Sequence, residues 1–209
     1  MKPRETELKT IWLEATDSTN KEVRRRIGEL DNLSAIAATT QTAGRGQGSH
    51  SWFSRPGSGL TFSILFDFEP PHDIEVKDAL LITEFCTLAL RDYLLEEGVE
   101  SRIKWPNDIW VGDRKICGIL IENILHESRI ARSIVGIGLN LNETAWPEDL
   151  PNPVSLKELT GKDYSPAREL AALGAKIAAR YGELSSPEGR KGLDDEFRKY
   201  MFRLDGERR

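Results

Sequence analysis

The glycine-rich segment Gly44-Arg45-Gly46-Gln47-Gly48 has residue types that are typical of a ligand-binding loop. Glycines let the backbone approach a ligand closely and direct several N–H groups into one concavity. Arg45 adds a cation that can bind a carboxylate or a phosphate through two parallel hydrogen bonds. The segment matches neither a P-loop nor G-x-G-x-x-G, and the glycines alone are equally compatible with a flexible surface loop. Trp52 and Phe53 follow closely and favour a surface on which a flat ring stacks.

A second segment, Lys104-Trp105-Pro106-Asn107-Asp108, places a cation, an aromatic ring, a turn residue, an amide and a carboxylate in five positions. Such a turn could present Asn107 and Asp108 to a ligand, or to a Mg²⁺ ion held by phosphates. Taken alone, the segment is explained more simply as a turn whose polar side chains bond to its own backbone.

The third segment is Arg114-Lys115-Ile116-Cys117-Gly118. Lys115 begins an otherwise apolar strand, and Gly118 interrupts that strand where a ligand could approach the backbone. An edge-strand lysine and a bulge glycine would explain the two residues separately. The combination of all three segments is far more specific than any one of them.

The strands that must position these segments are predicted from their alternating or apolar patterns. They are expected over residues 8–15, 34–40, 60–68, 115–122 and 129–141, with short extended pieces at 101–105 and 109–111. A two-residue turn at Gly112-Asp113 would join the last of these pieces to the strand at 115. Within 60–68 one face carries only large apolar side chains, namely Leu60, Phe62, Ile64, Phe66 and Phe68.

Helices are predicted between the strands. Thr19 and Glu22 fit a capping box at the start of a first helix. Residues 75–97 form the most strongly helical segment, with a broad apolar face that includes Leu95. A Pro-rich surface loop is expected over residues 143–153, a helix after Ser165-Pro166 and a last short helix over 193–202. The irregular mixture of strands and helices indicates an α+β fold with a mixed β-sheet flanked by helices.

Length and charge narrow the class of protein. A chain of 209 residues is long enough for one domain with a substantial core. A net charge of −5 disfavours a general nucleic-acid binder. The first ten residues lack the apolar region of a signal peptide, and no apolar run approaches the roughly 20 residues of a membrane span. Cys86 and Cys117 lie in apolar runs, which favours reduced core residues of a cytoplasmic protein.

In order and spacing, the motifs of this chain resemble those of the biotin protein ligases. The resemblance is carried by Ser18-Thr19-Asn20, Gln41-Thr42-Ala43-Gly44-Arg45-Gly46, Trp52, Lys104-Trp105-Pro106-Asn107-Asp108, Arg114-Lys115 with Gly118-Ile119-Leu120, and Gly138-Leu139-Asn140. It implies a class II synthetase-like catalytic domain spanning residues 1–209. It also implies a cytoplasmic enzyme, monomeric or homodimeric, that uses ATP with Mg²⁺ to join biotin to a lysine of a biotin carboxyl carrier protein through biotinyl-5′-AMP.

The resemblance also implies a role for each matching residue. The expected biotin-binding residues are Ser18, Thr19, Asn20, Gln41, Arg45, Gly46, Gln47, Lys115 and Gly118. The expected nucleotide-binding residues are Trp52, Lys104, Asn107 and Asn140. The expected catalytic residues are Lys115, Arg45 and Asp108, and no metal ion is expected to be held by the protein alone.

Three departures from the family pattern carry expectations of their own. The loop of the best-known members reads G-R-G-R-R-G, whereas this chain has Gln47 and Gly48-Ser49 in its second half. The loss of two cations predicts weaker retention of the anionic adenylate. Ser18 lies too near the first residue for a DNA-binding winged helix to precede it, so DNA binding is not expected. The SH3-like barrel that usually follows the last helix is expected to be absent or truncated.

Two alternative functions remain open at this point. A lipoate or octanoate protein ligase or transferase resembles this family in fold and reaction but takes an acid with a different ring end. A non-catalytic module that binds biotin or a nucleotide belongs to another class. Release of pyrophosphate on addition of biotin and ATP would distinguish the enzyme from the binding module.

Overall fold

Eight strands and five α-helices make up the part of the chain that the computed structural model describes, residues 8–48 and 50–202. In chain order they are β1 (Lys9–Thr16), α1 (Thr19–Arg25), β2 (Ser34–Gln41), β3 (Gly59–Asp67), β4 (Ile74–Glu75), α2 (Leu80–Glu96), β5 (Arg102–Lys104), β6 (Asp108–Val111), β7 (Arg114–His126), β8 (Arg129–Asn140), α3 (Leu156–Thr160), α4 (Pro166–Gly182) and α5 (Pro187–Tyr200). Ser49 and both ends of the predicted domain 1–209 lie outside the described residues.

All eight strands belong to one mixed sheet. Its order is β1-β2-β3-β8-β7-β6-β5, and the short strand β4 also pairs with β8. β1 runs parallel to β2, whereas the other pairs are antiparallel. The prediction of a mixed sheet flanked by helices is therefore confirmed.

The alternation along β3 divides the molecule into two layers. The large apolar side chains predicted to share a face all lie in the main core, together with buried residues of α2, α4 and α5 such as Phe85, Ile177 and Phe197. Leu65 points to the other face, where it packs with Val23 of α1 in a second, smaller apolar cluster. Because most helices cover the first face, the second face is left to α1 and to the loops that carry the chemical motifs.

The register of β6, β7 and β8 brings the second and third motifs together. Gly112 has φ 56° and begins the two-residue turn between β6 and β7, as predicted. Asp108 of β6 pairs with Gly118 of β7, and Gly118 pairs in turn with Gly138 of β8. A carboxylate and two glycines from separate segments therefore lie side by side across three strands.

Helix boundaries differ from the prediction at α2 and α5. α2 begins at Leu80 rather than at residue 75, because Ile74–Glu75 pairs with β8 and a short 3₁₀ turn follows. Leu95, expected on the apolar face of α2, is 51% exposed. α5 begins at Pro187 rather than at 193, because Ser186 caps the helix by accepting from Gly189 N. None of the helices in residues 8–48 and 50–202 is long and apolar enough to cross a membrane.

The predicted capping box at the start of α1 is wrong. Ser18 is the N-cap residue and its side chain makes no capping hydrogen bond. Thr19 is already helical, and both its backbone N–H and its hydroxyl donate to Gln41 Oε1, at 2.8 and 3.2 Å. A capping box forms instead at α3, between Ser155 and Glu158. The hydroxyl at residue 19 therefore belongs to a tertiary contact and not to the helix end.

The two cysteines are buried free thiols, as predicted from the apolar runs around them. Burial raises the pKa of both thiols well above the ordinary value. Because the thiolate is the reactive form, Cys86 and Cys117 are expected to be inert at neutral pH.

Glu84 of α2 makes the stability of the fold dependent on pH. The residue is 2% exposed, its Oε2 has no hydrogen-bond partner among the described residues, and burial raises its pKa from 4.5 to about 7, with Asp194 adding to the rise. The folded protein therefore keeps a proton that the unfolded chain loses above pH 4.5, so stability falls as the pH rises towards 7.

We expect Glu84→Gln to remove this loss, which amounts to about 3 kcal/mol in the free energy of unfolding. Urea unfolding at pH 5 and pH 8 measures the difference for each protein. Glu100→Gln, at an exposed carboxyl, is the control. Equal pH dependence in the wild type and in Glu84→Gln would contradict the prediction.

Candidate active site

A cavity of about 380 Å³ lies on the face of the sheet that α1 and the glycine-rich loop cover. It is lined by every described residue that was expected to bind or react, apart from Lys104. These residues are Ser18, Thr19, Asn20, Gln41, Arg45, Gly46, Gln47, Trp52, Asn107, Asp108, Lys115, Gly118 and Asn140. The three motifs, separated in the sequence by up to 65 residues, therefore meet in one place.

One end of the cavity is a buried polar network between α1, β2 and β3. Thr19 bonds to Gln41 as described above, and Ser63 Oγ lies 2.7 Å from Thr19 Oγ1. Ser63 Oγ also lies 2.6 Å from Asn20 Oδ1. Ser18, the residue before Thr19, donates its backbone N–H to Asp17 Oδ1. Hydroxyls and amides of this kind offer both donors and acceptors to a compact polar ring.

Ser63 is the residue of this network that sequence reasoning missed. It is fully buried on β3, between Thr19 and Asn20, and joins the two side chains. A signal was present, because Ser63 is a polar residue on the second face of a strand whose first face is wholly apolar. The sequence did not indicate the hydrogen-bond partners of Ser63, because Thr19 and Asn20 lie 44 and 43 residues earlier in the chain.

Asn20 extends the network to β7 and β8. Its Nδ2 donates to Glu122 Oε2 at 2.9 Å. A Cβ atom placed on Gly136 would overlap Asn20 Oδ1. Gly136 is therefore required for the amide of Asn20 to lie against the sheet.

An ion pair also lines the cavity. Lys115 Nζ lies 2.7 Å from Asp108 Oδ1, and the side chains are 31% and 25% exposed. The backbone of Lys115 is fixed on both sides, because its N–H donates to Asn152 O at 2.7 Å and its carbonyl accepts from Val154 N at 3.0 Å. A positioned ammonium that remains accessible can bind the anionic groups of a substrate.

Trp52 covers the sheet beside this ion pair. A Cβ atom on Gly118 would lie 2.9 Å from the Trp52 ring, and one on Gly138 would overlap it. Lys115 Nζ lies 5.6 Å from the ring centroid. The two glycines are therefore the surface on which the indole ring rests, and they keep the ring next to the Lys115 ammonium.

The other end of the cavity is aromatic. The rings of Phe53 and Trp146 have their centroids 6.4 Å apart and line the cavity together with Asn140. Asn140 Nδ2 donates to Lys115 O at 3.3 Å and to Val154 O at 3.0 Å, which fixes the amide at the end of β8. Aromatic walls beside an amide suit a flat heterocyclic base.

Asn107 bonds to the neighbouring strand β7, whereas the simpler interpretation of the sequence was a turn whose side chains bond only to their own backbone. It is buried, its side-chain Nδ2 donates to Ile119 O, and its backbone carbonyl accepts from Ile119 N at 3.0 Å. The side chain therefore anchors the second motif to β7 beside Gly118 while it lines the cavity.

Arg45 lies on the rim of the cavity and not at the ion pair. The glycine-rich loop folds back on itself, with Gly46 N donating to His50 O at 2.8 Å and Trp52 N donating to Gly44 O at 3.0 Å. Arg45 Nη1 donates to Glu122 Oε1 at 3.3 Å. In this structure the guanidinium group is therefore held by a carboxylate of β7.

Lys104 is the expected site residue that the structure does not bring to the cavity. Its ammonium lies 3.6 Å from the ring centroid of Trp110, a cation–π contact on the β5–β6 pair. The β5–β6 register places Lys104 opposite Asp108, but Lys104 is not part of the lining.

A family model described as the biotin/lipoate A/B protein ligase family matches residues 12–140. The chain belongs to this ligase family. The match ends at Asn140, the last residue of β8. The matched residues include those of the polar end of the cavity, the glycine-rich loop and the ion pair, whereas Trp146 lies beyond the match.

Known members of the biotin/lipoate ligase family are similar over most of the described fold. The chain is 35% identical over 141 residues to the bifunctional ligase/repressor BirA of Escherichia coli, which covers 67% of this chain and 43% of BirA. It is 31% identical over 181 residues to the biotin--[acetyl-CoA-carboxylase] ligase of Paracoccus denitrificans, covering 83% of this chain and 73% of that protein. The chain spans less than half the length of the BirA relatives it matches.

A solved structure of a biotin protein ligase has the same fold. The biotin protein ligase from Aquifex aeolicus, in complex with biotin and ATP, has a TM-score of 0.80 and 28% sequence identity. The match covers 94% of this chain and 79% of that chain. The expected class of fold, that of the catalytic domain of biotin protein ligases, is thereby confirmed.

Proposed function

We propose that this protein is an ATP-dependent ligase that joins biotin to a lysine of a biotin carboxyl carrier protein through biotinyl-5′-AMP. The observation that carries the proposal is that the Lys115–Asp108 ion pair lines the same cavity as the polar network and the aromatic side chains. A polar bicyclic ring fits the hydroxyl and amide network at one end, and a base fits the aromatic end. The anionic groups of the two substrates would then meet near Lys115.

The first step forms the mixed anhydride. A biotin carboxylate oxygen attacks the α-phosphorus of ATP, the bond between the α-phosphorus and the bridging oxygen breaks, and pyrophosphate leaves with the electron pair. Both reactants are anions, so the ammonium of Lys115 and the N–H groups of the glycine-rich loop offset their repulsion, and positioning does most of the remaining work. Arg45 adds a further cation if it exchanges Glu122 for the substrate.

The second step transfers biotin. The amine of the acceptor lysine attacks the acyl carbon, AMP leaves, and the amine loses a proton to form the amide. Asp108 is the one carboxylate among the described lining residues, so it is the candidate for accepting that proton. Mg²⁺ neutralises phosphate charge when ATP is bound, and the carboxylate of Asp108 is also the type of ligand that Mg²⁺ prefers.

The relatives support the choice of biotin over lipoate. The Aquifex aeolicus protein was solved with biotin and ATP, and the Paracoccus denitrificans protein is named as a ligase that acts on acetyl-CoA carboxylase. We infer the same substrates for this chain, which spans less than half the length of the BirA relatives.

Exchange of labelled pyrophosphate into ATP tests the proposed function. We expect exchange to require biotin, and to be absent with lipoate or octanoate at the same concentration. Exchange with lipoate but not with biotin would establish the alternative ligase. Saturable biotin binding without exchange would establish a non-catalytic binding module.

Gln47→Arg is expected to slow the escape of biotinyl-5′-AMP from the preformed complex. Gln47 lines the cavity, and an arginine there would restore one of the two cations that the loop lacks. One added charge–phosphate contact predicts a dissociation rate about tenfold lower. Stopped-flow release of the adenylate measures this rate, with Gln47→Met as the uncharged control. An unchanged rate in Gln47→Arg would contradict the prediction.

A further inference from the structure

Glu122 of β7 is not among the described residues that line the cavity, but it bonds to two residues that are. Its Oε2 accepts from Asn20 Nδ2 at 2.9 Å, and its Oε1 accepts from Arg45 Nη1 at 3.3 Å. The side chain of Glu122 is 21% exposed, whereas Asn20 is buried. Asn20 lies on α1 and Arg45 on the glycine-rich loop. One carboxylate of the sheet therefore holds both segments that cover the cavity.

This carboxylate determines which way the amide of Asn20 faces. Glu122 is ionised in its ion pair with Arg45, and an ionised carboxylate can only accept hydrogen bonds. The amino group of Asn20 must therefore point to β7, where Leu120 O is a second, longer acceptor at 3.4 Å. The amide oxygen of Asn20 then faces Ser63.

Ser63 by itself is compatible with either orientation of that amide. It has one hydroxyl proton, and its Oγ lies 2.6 Å from Asn20 Oδ1 and 2.7 Å from Thr19 Oγ1. With the amide as it stands, Ser63 donates to Asn20 and accepts from Thr19. With the amide turned over, Ser63 would accept from the amino group of Asn20 and donate to Thr19. The hydroxyl of Thr19 would then donate to Gln41 Oε1 alone, at 3.2 Å.

Both arrangements satisfy the two hydroxyls, so the acceptors on β7 decide between them, and Glu122 is the closer of these acceptors. The arrangements differ in what they offer a ligand. In the one that Glu122 selects, Thr19 Oγ1 receives no proton from Ser63 and can accept one from a ligand. In the reversed one, Ser63 donates to that oxygen. Because Thr19 lines the cavity, the selected arrangement suits a ring that brings N–H donors, as a cyclic urea does.

We propose that Glu122 is a positioning residue for biotin. As the acceptor at the end of the hydrogen-bond chain from Thr19 to Asn20, it fixes the direction of that chain and keeps the polar end of the cavity selective for ligand N–H groups. The inference rests on the proposed function, which places the ureido ring of biotin at this end. Glu122 does not contact the ligand and acts through Asn20.

Two variants of nearly equal size separate the acceptor from the charge. Glu122→Met removes both, whereas Glu122→Gln removes the charge but keeps an amide oxygen that can accept from Asn20. In calorimetric titrations without nucleotide, we expect biotin to bind about tenfold more weakly to Glu122→Met, because the buried amino group of Asn20 keeps only the long contact to Leu120 O. We expect Glu122→Gln to stay within about threefold of the wild type. An equal loss in both variants overturns the proposal, since the charge and not the acceptor would then matter.

Ring analogues of biotin give a readout that a merely structural role would not change. In each analogue one ureido N–H is replaced by a ring oxygen, which removes a donor at nearly constant size. We expect the wild type to bind biotin at least about tenfold more tightly than the weaker of the two analogues, and this ratio to fall at least about threefold in Glu122→Met. A wild type without the preference, or an unchanged ratio in Glu122→Met, overturns the proposal even if every ligand binds more weakly to the variant.

Glu14→Met is the control for the substitution itself. Glu14 is an exposed carboxylate of a strand, β1, and its variant is expected to bind all the ligands as the wild type does. If Glu122→Met does not fold, Glu122→Thr takes its place, because threonine suits a strand and is too short to reach Asn20, and the same outcomes decide. A wild type that binds lipoate but not biotin would refute the proposed function, whereas biotin binding with an unchanged analogue ratio would refute only the role of Glu122.

Discussion

Lys115→Ala is expected to lower the rate of biotinyl-5′-AMP formation on the order of 10²–10³-fold. Lys115 carries an ammonium that lines the cavity, and its backbone is fixed by hydrogen bonds on both sides. In the proposed reaction the biotin carboxylate and the ATP phosphates repel each other most strongly when they meet near Lys115. The loss is therefore expected in kcat rather than only in the KM for biotin. Single-turnover formation of the adenylate measures the effect directly.

Lys9→Ala is the matched control for this substitution. Lys9 forms an ion pair with Asp31 at 2.6 Å, close to the Lys115–Asp108 distance, but both side chains are strongly exposed. An exposed ion pair of this kind contributes about 0–1 kcal/mol to stability, so the variant is expected to keep its activity. Adenylate formation by Lys115→Ala at the rate of Lys9→Ala would remove Lys115 from the catalytic role.

Gly136→Ala is expected to weaken biotin binding about 10- to 100-fold and to lower the free energy of unfolding by about 1–3 kcal/mol. The added methyl group would overlap Asn20 Oδ1. Asn20 is bound to Ser63 and Glu122, so it cannot move without breaking the polar network at the biotin end. Calorimetric titration with biotin and chemical denaturation measure the two effects.

Gly192→Ala provides the control for the same chemical change. A Cβ atom at Gly192, in α5, has no neighbour within 4 Å. Alanine in a helix interior is better than glycine by about 1 kcal/mol, so this variant is expected to be slightly more stable and to bind biotin normally. Biotin affinity in Gly136→Ala equal to that in Gly192→Ala would show that the close approach of Asn20 to the sheet is not needed.

The sequence predicted the layers of the fold because side-chain periodicity is a local property. The alternation over residues 60–68 identified the core face of β3, and by the same period it placed Ser63 on the other face. The residues that contact Ser63 are determined by the tertiary structure. Only the folding of α1 over β3 brings Thr19 and Asn20 to that hydroxyl, and no pattern within the strand indicates this.

Lys104 and Thr19 show that a sequence motif does not predict the side-chain contacts of every residue within it. Lys104 belongs to a specific motif, but a cation–π contact with Trp110 takes its ammonium away from the cavity. Thr19 fits a capping box in sequence, but Gln41 accepts its hydrogen bonds. In both cases a partner that is distant in the chain or on the next strand competes with the local arrangement and determines where the side chain lies.

Glu143 could not have been singled out from the sequence. It follows β8 in a polar, Pro-rich segment where an exposed carboxylate is the usual outcome. The structure buries it because the backbone N–H groups of the next two residues and Arg55 surround one oxygen. This burial leaves Oε2 without a hydrogen-bond donor among the described residues.

Isotope transfer from biotin to AMP tests the central claim most directly. The proposed reaction joins a biotin carboxylate oxygen to the α-phosphorus, and that oxygen stays with AMP when the acceptor lysine attacks the acyl carbon. With biotin labelled by ¹⁸O in the carboxylate, complete ligation to a carrier protein is predicted to give unlabelled pyrophosphate and AMP that contains one ¹⁸O atom. Formation of ADP with labelled phosphate, or of AMP without the label, would contradict the account.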